Sequence, residues 1–435
     1  MSAAAEPAPG TLLKLAVAGL AVGAAAGLVG GAFHLVLDHA DRLRDALVVW
    51  SRGAPWIGWV APVALAAAAA YVARWLVRVY APEAAGSGVQ HVEAVVRGEV
   101  APTGVAVLPV KFIGGTLAIG TGLALGREGP TVQMAATVGG LLARAFRFHP
   151  TDAATLLAAG AGAGLAAAFN APLAGAIFVF EELVRRFELR VAVATLAACS
   201  GALAVMRALI GDRNVFTVPA LEVDLFPGYL LFFAFGALIG LLGYAYTRTV
   251  VAALDIAERF RRVSPEARAA AVGAVAGLLA FAAPSVVGGG EGLVQEILDG
   301  RHPVWALLLV FLVRFLFGPL SYAPGLPGGL FAPLLVVGVA AGALFGRTVE
   351  ALVPLYTTPV AAFAAVGMGA LFAAIVRAPI TGIALVVEMT GATSLFVPLL
   401  TACAAAIAVP AMLGEPPIYD TLRDRDAARR SGREN

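Results

Sequence analysis

The stretch Gly126-Arg127-Glu128-Gly129-Pro130-Thr131-Val132-Gln133 places an ionisable pair between two short charge-free runs, Phe112–Gly126 and Gly129–Ala143. Neither run reaches the roughly 20 residues that a membrane-spanning helix needs. Charge at membrane depth is costly and tends to mark function. Gly126 and Gly129 let backbone approach a ligand closely. Pro130 suits the first turn of a helix that begins here. Such a beginning aims unpaired N–H groups and a partial positive charge at whatever lies before it, and that describes an anion site. Glu128 is then a carboxylate held where an anion would bind. Charged, it competes with the anion; protonated, it can leave. A structural Arg127–Glu128 pair in a loop is the plainer reading of the same residues.

The rest of the chain supports a membrane setting. Of its 435 residues, 60% are hydrophobic and 13% charged, and mean hydropathy is +0.88. A soluble domain carries about 25% charged residues. These values exclude disorder, a disulfide scaffold and an ordinary cytosolic enzyme. A net charge of +2 gives no reason to expect nucleic acid or another polyanionic partner. Cys199 and Cys403 read as small core residues. Arginine outnumbers lysine 28 to 2, a composition typical of GC-rich bacterial genomes. The apolar run Leu12–Leu37 exceeds the roughly 7–15 residues of a signal core and reads as a membrane helix. Gly53–Ala73, Leu225–Thr247, Ala269–Gly290 and Met389–Gly414 are charge-free and of spanning length, whereas Ala378–Val387 is far too short to span. Short apolar segments bounded by Gly and Pro describe discontinuous helices. Non-helical backbone at depth is tolerated only inside protein or beside a watery cavity, so the middle of the chain lines something polar.

An internal repeat is visible. Gly160–Glu181 aligns with Gly367–Glu388 at an offset of 207, matching Gly160/Gly367, Ala171-Pro172/Ala378-Pro379, Gly175/Gly382 and Glu181/Glu388. Gly126–Pro130 aligns more weakly with Gly329–Pro333 at an offset of 203. The organisation expected is an N-terminal cytoplasmic segment (1–10), a first membrane repeat (11–215), a second (216–415) and a C-terminal cytoplasmic helix or tail (416–435). Arg248–Arg268 carries five arginines against three acids, and Arg423, Arg425, Arg429, Arg430 and Arg433 crowd the tail. Both read as cytoplasmic.

Three further motifs carry chemistry. Gly86-Ser87-Gly88 precedes a helical run, where Ser87 could cap that helix, offer its hydroxyl to an anion, or simply sit in a turn. Gly328-Gly329-Leu330-Phe331-Ala332-Pro333 describes another helix N-terminus, with free N–H groups at Leu330 and Phe331. Glu181-Glu182 follows the long charge-free run Ala153–Phe180 and fits a helix end at the cytoplasmic surface. His34, His39, His91, His149 and His302 are scattered, and no HExxH or GxSxG motif is present. No metal site is expected.

With these motifs in hand, the chain resembles the CLC family of chloride channels and chloride/proton antiporters. The match runs from about Gly86 to Tyr419 and rests on Gly126–Gln133, Gly328–Pro333, Phe169–Gly175 and Pro417-Ile418-Tyr419, in the family's order. The resemblance implies an all-α polytopic membrane protein built from two inverted-topology repeats with discontinuous helices. It implies a homodimer in the bacterial inner membrane, multi-pass, with both termini cytoplasmic and one anion pathway per subunit. Chloride is the substrate ligand, and no cofactor is implied. Ser87 and Tyr419 match the two hydroxyls that bind the central chloride, with the N–H groups of Leu330 and Phe331, and with Arg127 and Gly129 nearby. Glu128 matches the external gating glutamate, and Glu182 the internal proton-transfer glutamate. Glu388, the repeat mate of Glu181, reads as structural. Lys111 either raises the potential near the pathway or snorkels. Gln90 stands where the family usually has a proline. The stretch after Tyr419 is too short for the cytoplasmic domain pair of larger members, and none is expected. The function implied is proton-coupled chloride antiport. The alternatives are a passive chloride channel of the same fold and, further off, an intramembrane enzyme using Glu128 or Glu181-Glu182 as acid and base. The fluoride-exporting branch lacks the Gly126–Pro130 signature and the Ser/Tyr pair.

Overall fold

The computed structural model describes residues 9–54, 56–212, 214–218, 228–353 and 358–434. Most of the expected N-terminal segment 1–10 lies outside them, as does the start of the expected span Leu225–Thr247. Among the described residues there are 17 α-helices and no strand, and nine helices are long and apolar enough to cross a membrane. The first eight are α1 (Pro9–Ser51), α2 (Val60–Tyr80), α3 (Val89–Val96), α4 (Val107–Gly120), α5 (Glu128–Ala145), α6 (Pro150–Phe169), α7 (Pro172–Phe178) and α8 (Leu189–Ile210). The next eight are α9 (Gly228–Arg259), α10 (Pro265–Ala282), α11 (Glu291–Leu298), α12 (Val304–Tyr322), α13 (Phe331–Leu352), α14 (Val360–Val376), α15 (Pro379–Thr390) and α16 (Phe396–Met412), with α17 (Ile418–Glu434) closing the chain. The two sets correspond element by element. Even the short 3₁₀ turns before α3 and α11, Pro82–Ala84 and Pro284–Val286, are matched.

Local chemistry explains the breaks. α6 and α14 end at Asn170 and Arg377, both left-handed at φ 51° and 67°, and Pro172 and Pro379 then start the next helices. α10 opens on Ser264, whose Oγ accepts the N–H of Ala267 at 3.2 Å. Two expected spans are shorter than their charge-free runs. Met389–Gly414 is divided by a turn at Gly391, where φ is 70°. Ala269–Gly290 stops as a helix at Ala282, before Pro284. Freedom from charge cannot reveal a turn whose polar backbone is satisfied inside protein.

The helices pack through small residues. Gly19, Gly23 and Gly27 of α1 press against Ala194, Ala198 and Ala202 of α8, so a methyl on Gly23 would overlap the Ala198 carbonyl. Gly236 and Gly240 of α9 meet Ala402 and Ala406 of α16 in the same way. In lipid no hydrophobic force drives helices together, and close backbone approach supplies the dispersion that does. The halves join where Gly126 and Gly329 exchange backbone hydrogen bonds of 2.8 and 2.7 Å in an antiparallel bridge. That join brings the N-termini of α5 and α13 together.

Gly23→Val is expected to destabilise the protein by about 1–3 kcal/mol through overpacking and to broaden its size-exclusion peak. Gly104→Val, placed where nothing lies within 4 Å, should leave the thermal midpoint unchanged in the same melt.

Candidate functional site

Glu128 is the first residue of α5 and is 1% exposed. Its Oε1 accepts the N–H of Ala332 at 3.1 Å, and the Phe331 N–H also reaches the carboxylate. Oε2 has no protein partner. The side chain therefore occupies the N-terminus of α13, a helix of the other half, where an anion is favoured. A methyl on Gly126 or Gly329 would strike this carboxylate, and that is why both bridge residues are glycines. The Arg127–Glu128 pair does not form. Arg127 donates to the Ala168 carbonyl from Nε and a terminal nitrogen at 3.3 and 3.2 Å, and pairs with Glu291 at 3.0 Å. It lines a cavity of about 330 Å³ shared with Asp41, Arg44, Glu291 and Ala332.

Ser87 is fully buried, and its Oγ packs so tightly on Gly129 that no side chain fits there. Ser87 does not cap α3; Gly88, at φ 85°, is the cap residue. The hydroxyl is left without a well-formed protein hydrogen bond, and its neighbour is the Tyr419 hydroxyl. Tyr419 is 1% exposed, in the first turn of α17. Its ring lies 5.9 Å from that of Phe331, which also meets Phe178 and Phe372 edge-on at 6.1 and 4.7 Å. Ser87, Gly129, Glu128, Leu330, Phe331 and Tyr419 thus converge from separate segments of the chain. Lys111 does not snorkel. It is fully buried, and its Nζ donates to the carbonyls of Ala84 and Gly86 at 3.0 and 2.7 Å. Arg314, on the matching helix of the second half, does the same for Gly288 and Val287 at 2.7 and 3.4 Å. Each buried cation holds a glycine-rich loop by its carbonyls. Sequence reading missed this pairing although a signal was there: at the offset of 203 that aligns Gly126 with Gly329, Val110-Lys111-Phe112 aligns with Val313-Arg314-Phe315 and Gly115 with Gly318.

Glu182 sits on a π-helical turn, Val179–Leu183, and is 2% exposed. Such turns recur at functional sites. Its carboxylate lies 3.7 Å from Arg185 and borders a cavity of about 400 Å³ lined by Phe180, Glu181, Arg185, Arg377 and Pro417. Tyr419 lies within electrostatic reach of both Glu128 and Glu182. Sequence reading missed Glu93, which is fully buried and pairs with Arg97, Arg185 and Arg423. A lone Glu on a short helix gives no signal until α17 brings Arg423 to it.

Glu181 and Glu388 explain each other. Glu181 accepts the N–H groups of Ile380 and Thr381 at 3.0 and 2.7 Å. Glu388 accepts those of Leu173 and Ala174 at 3.0 and 2.7 Å. Each half caps the broken helix of the other. Glu181→Ala and Glu388→Ala should each lower stability by about 1–3 kcal/mol through stranded N–H groups, Glu181→Ala by the larger amount because Glu181 also accepts the Thr381 hydroxyl at 2.8 Å. Thermal melts of the purified variants check this; a larger loss in Glu388→Ala would show that the Thr381 hydroxyl adds nothing to the cap.

Among the described residues, no group of three or more His, Cys, Asp or Glu could hold a metal ion. The family model described as voltage gated chloride channel matches residues 69–411. The H(+)/Cl(-) exchange transporter ClcA of Vibrio parahaemolyticus is 39% identical over 93% of this chain and 88% of its own length. The crystal structure of a slow cyanobacterial Cl-/H+ antiporter superposes with a TM-score of 0.92 at 32% identity, covering 96% of this chain and 99% of that one. A CLC-type fluoride/proton antiporter superposes at 0.78 with 22% identity over 93% of this chain and 97% of that one, which speaks to the fold alone. These relatives are transporters rather than enzymes. Together with the paired helix N-termini around Glu128, the matches establish that the chain belongs to the CLC family of chloride channels and chloride/proton antiporters.

Proposed function

We propose that the protein exchanges chloride for protons across the bacterial inner membrane, with both termini on the cytoplasmic side. The observation that carries this reading is the Glu128 carboxylate seated on the N–H groups of Phe331 and Ala332. Anion and carboxylate compete for one positive field, so protonating Glu128 and admitting chloride are the same event seen from two sides. Chloride then binds between the hydroxyls of Ser87 and Tyr419 and the N–H groups of Leu330 and Phe331, without a full countercharge. Arg127 and Gly129 contribute through the backbone of the α5 N-terminus. Glu182 relays the proton between Glu128 and the cytoplasm; an ionisable group there favours exchange over passive conduction. Chloride is the only ligand required. The inverted repeats are taken as 11–215 and 216–415, with 416–435 as a cytoplasmic helix.

A homodimer fits the outer surface. Glu181 and Glu388 lie beside Ile380 and Leu173, which are 57% and 54% exposed. Carboxylates and helix caps facing lipid are unfavourable, and a second copy on this face would cover them.

The test is purified protein in liposomes under a chloride gradient without a proton gradient, recording external chloride and pH together. Uphill proton movement is expected. Chloride flux without it would favour the channel reading. Glu128→Ala should retain chloride flux and lose proton movement. Native chloride flux should rise at low pH, as protonation frees the Glu128 carboxylate from the α13 N-terminus, and this rise should be lost in Glu128→Ala, where there is no carboxylate to displace. Glu182→Gln should pass chloride with proton movement at background; an unchanged proton signal would move the relay to another acid, Glu181 first.

A further inference from the structure

Gly86 and Gly88 flank Ser87 with φ of 64° and 85°. A peptide between two such glycines has little local preference for one orientation. Something outside the loop must therefore aim the Ser87 side chain. Lys111 holds one end, through the Gly86 carbonyl. The other hold is Tyr322, the last residue of α12, 3% exposed. Its hydroxyl oxygen accepts the Ser87 N–H at 3.4 Å, and a methyl on Gly86 would crowd the same hydroxyl.

Gln90 joins this hydroxyl to the tail. It lies in the first turn of α3 and is 6% exposed. Its side chain reaches the Tyr322 hydroxyl, and its Nε2 donates to Asp426 Oδ2 at 3.5 Å. Its Oε1 is buried without a protein partner. Asp426 lies two turns beyond Tyr419 on the same face of α17. A contact at Asp426 therefore fixes the rotation of the helix that presents Tyr419. A proline at position 90 would stiffen α3 by its fixed φ; Gln90 lacks that constraint and supplies the contact to Asp426 instead.

We propose that Tyr322 and Gln90 are positioning residues that set the spacing between the Ser87 and Tyr419 hydroxyls, and with it the preference of this transporter for chloride over larger anions. This holds only if those two hydroxyls bind the anion, as proposed above. Tyr322 fixes the serine peptide, Gln90 links that anchor to α17, and loss of either loosens the pair toward a wider site.

Calorimetry on the full-length protein in detergent, titrated with sodium chloride and with sodium nitrate, tests this. Tyr322→Phe removes one oxygen and keeps the ring. It should weaken chloride binding about threefold to tenfold, the effect of one hydrogen bond, and weaken nitrate less, so that the chloride-to-nitrate ratio falls. Gln90→Leu should lower the ratio in the same direction, and the double variant should fall short of the summed effects, because the two act through one contact. Gln90→Pro in the Tyr322→Phe background should recover part of the ratio by stiffening α3. A ratio within twofold of wild type in both single variants would overturn the proposal. So would equal weakening of both anions together with a lowered melting temperature, which marks a merely structural role. If Tyr322→Phe does not fold, Gln90→Leu alone decides by the same ratio. If the wild-type protein binds no chloride, the assignment of Ser87 and Tyr419 fails first, and that result is distinct from an unchanged ratio.

Discussion

The exchange of hydrogen bonds between Gly126 and Gly329 is the constraint on which the rest of the structure depends. It sets two helix N-termini, one from each half, against a single point. Neither terminus alone offers much, since a helix end contributes roughly half an elementary charge. Converged inside protein, where screening is weak, they create a field that favours a negative group, and the Glu128 carboxylate occupies it on the N–H groups of Phe331 and Ala332. The cost of the arrangement is that every helix feeding the point must stop within the membrane. Each stop leaves backbone groups that lipid cannot satisfy.

Duplication meets that cost with matched devices. Glu181 and Glu388 cap each other's broken helices. Lys111 and Arg314 hold the carbonyls of the two glycine-rich loops. Asn170 and Arg377 both take the left-handed conformation that ends a helix just before Ala-Pro. The halves diverge where function needs asymmetry. Glu128 stands in the first turn of α5, whereas the matching place in α13 carries Phe331, an aromatic residue that packs on Tyr419. One terminus supplies the carboxylate, and the other supplies the N–H groups on which it sits.

On the opposite side of Tyr419, the polar network is denser. Glu182, Glu93, Arg185, Arg423 and Asp420 lie within one cluster at the junction of α3, the π-helical turn and α17. The tail helix is thus held by ion pairs beside the acid assigned to proton transfer, while its first turn presents the hydroxyl assigned to chloride. In the mechanism proposed above, the proton and anion routes both border α17 and share one side chain, that of Glu128.

The sequence by itself determined the membrane setting, the duplication and the stops. Charge-free runs, Gly and Pro at their ends, and matched Ala-Pro pairs are local features that physics reads along the chain. Glu128 and the N–H groups of Leu330 and Phe331 were legible as candidates because their motifs sit at those stops, whereas the candidate roles of Ser87, Tyr419 and Glu182 came from the resemblance to the CLC family. Only the tertiary structure decided which groups face one another. That Arg127 turns to Glu291 rather than to Glu128, that Glu388 caps the distant Leu173, and that Lys111 is buried rather than snorkelling are all outcomes of long-range packing. The same is true of Tyr322 and Gln90: nothing in either stretch signals the other, because the contact exists only after α3, α12 and α17 have been brought together around the serine loop.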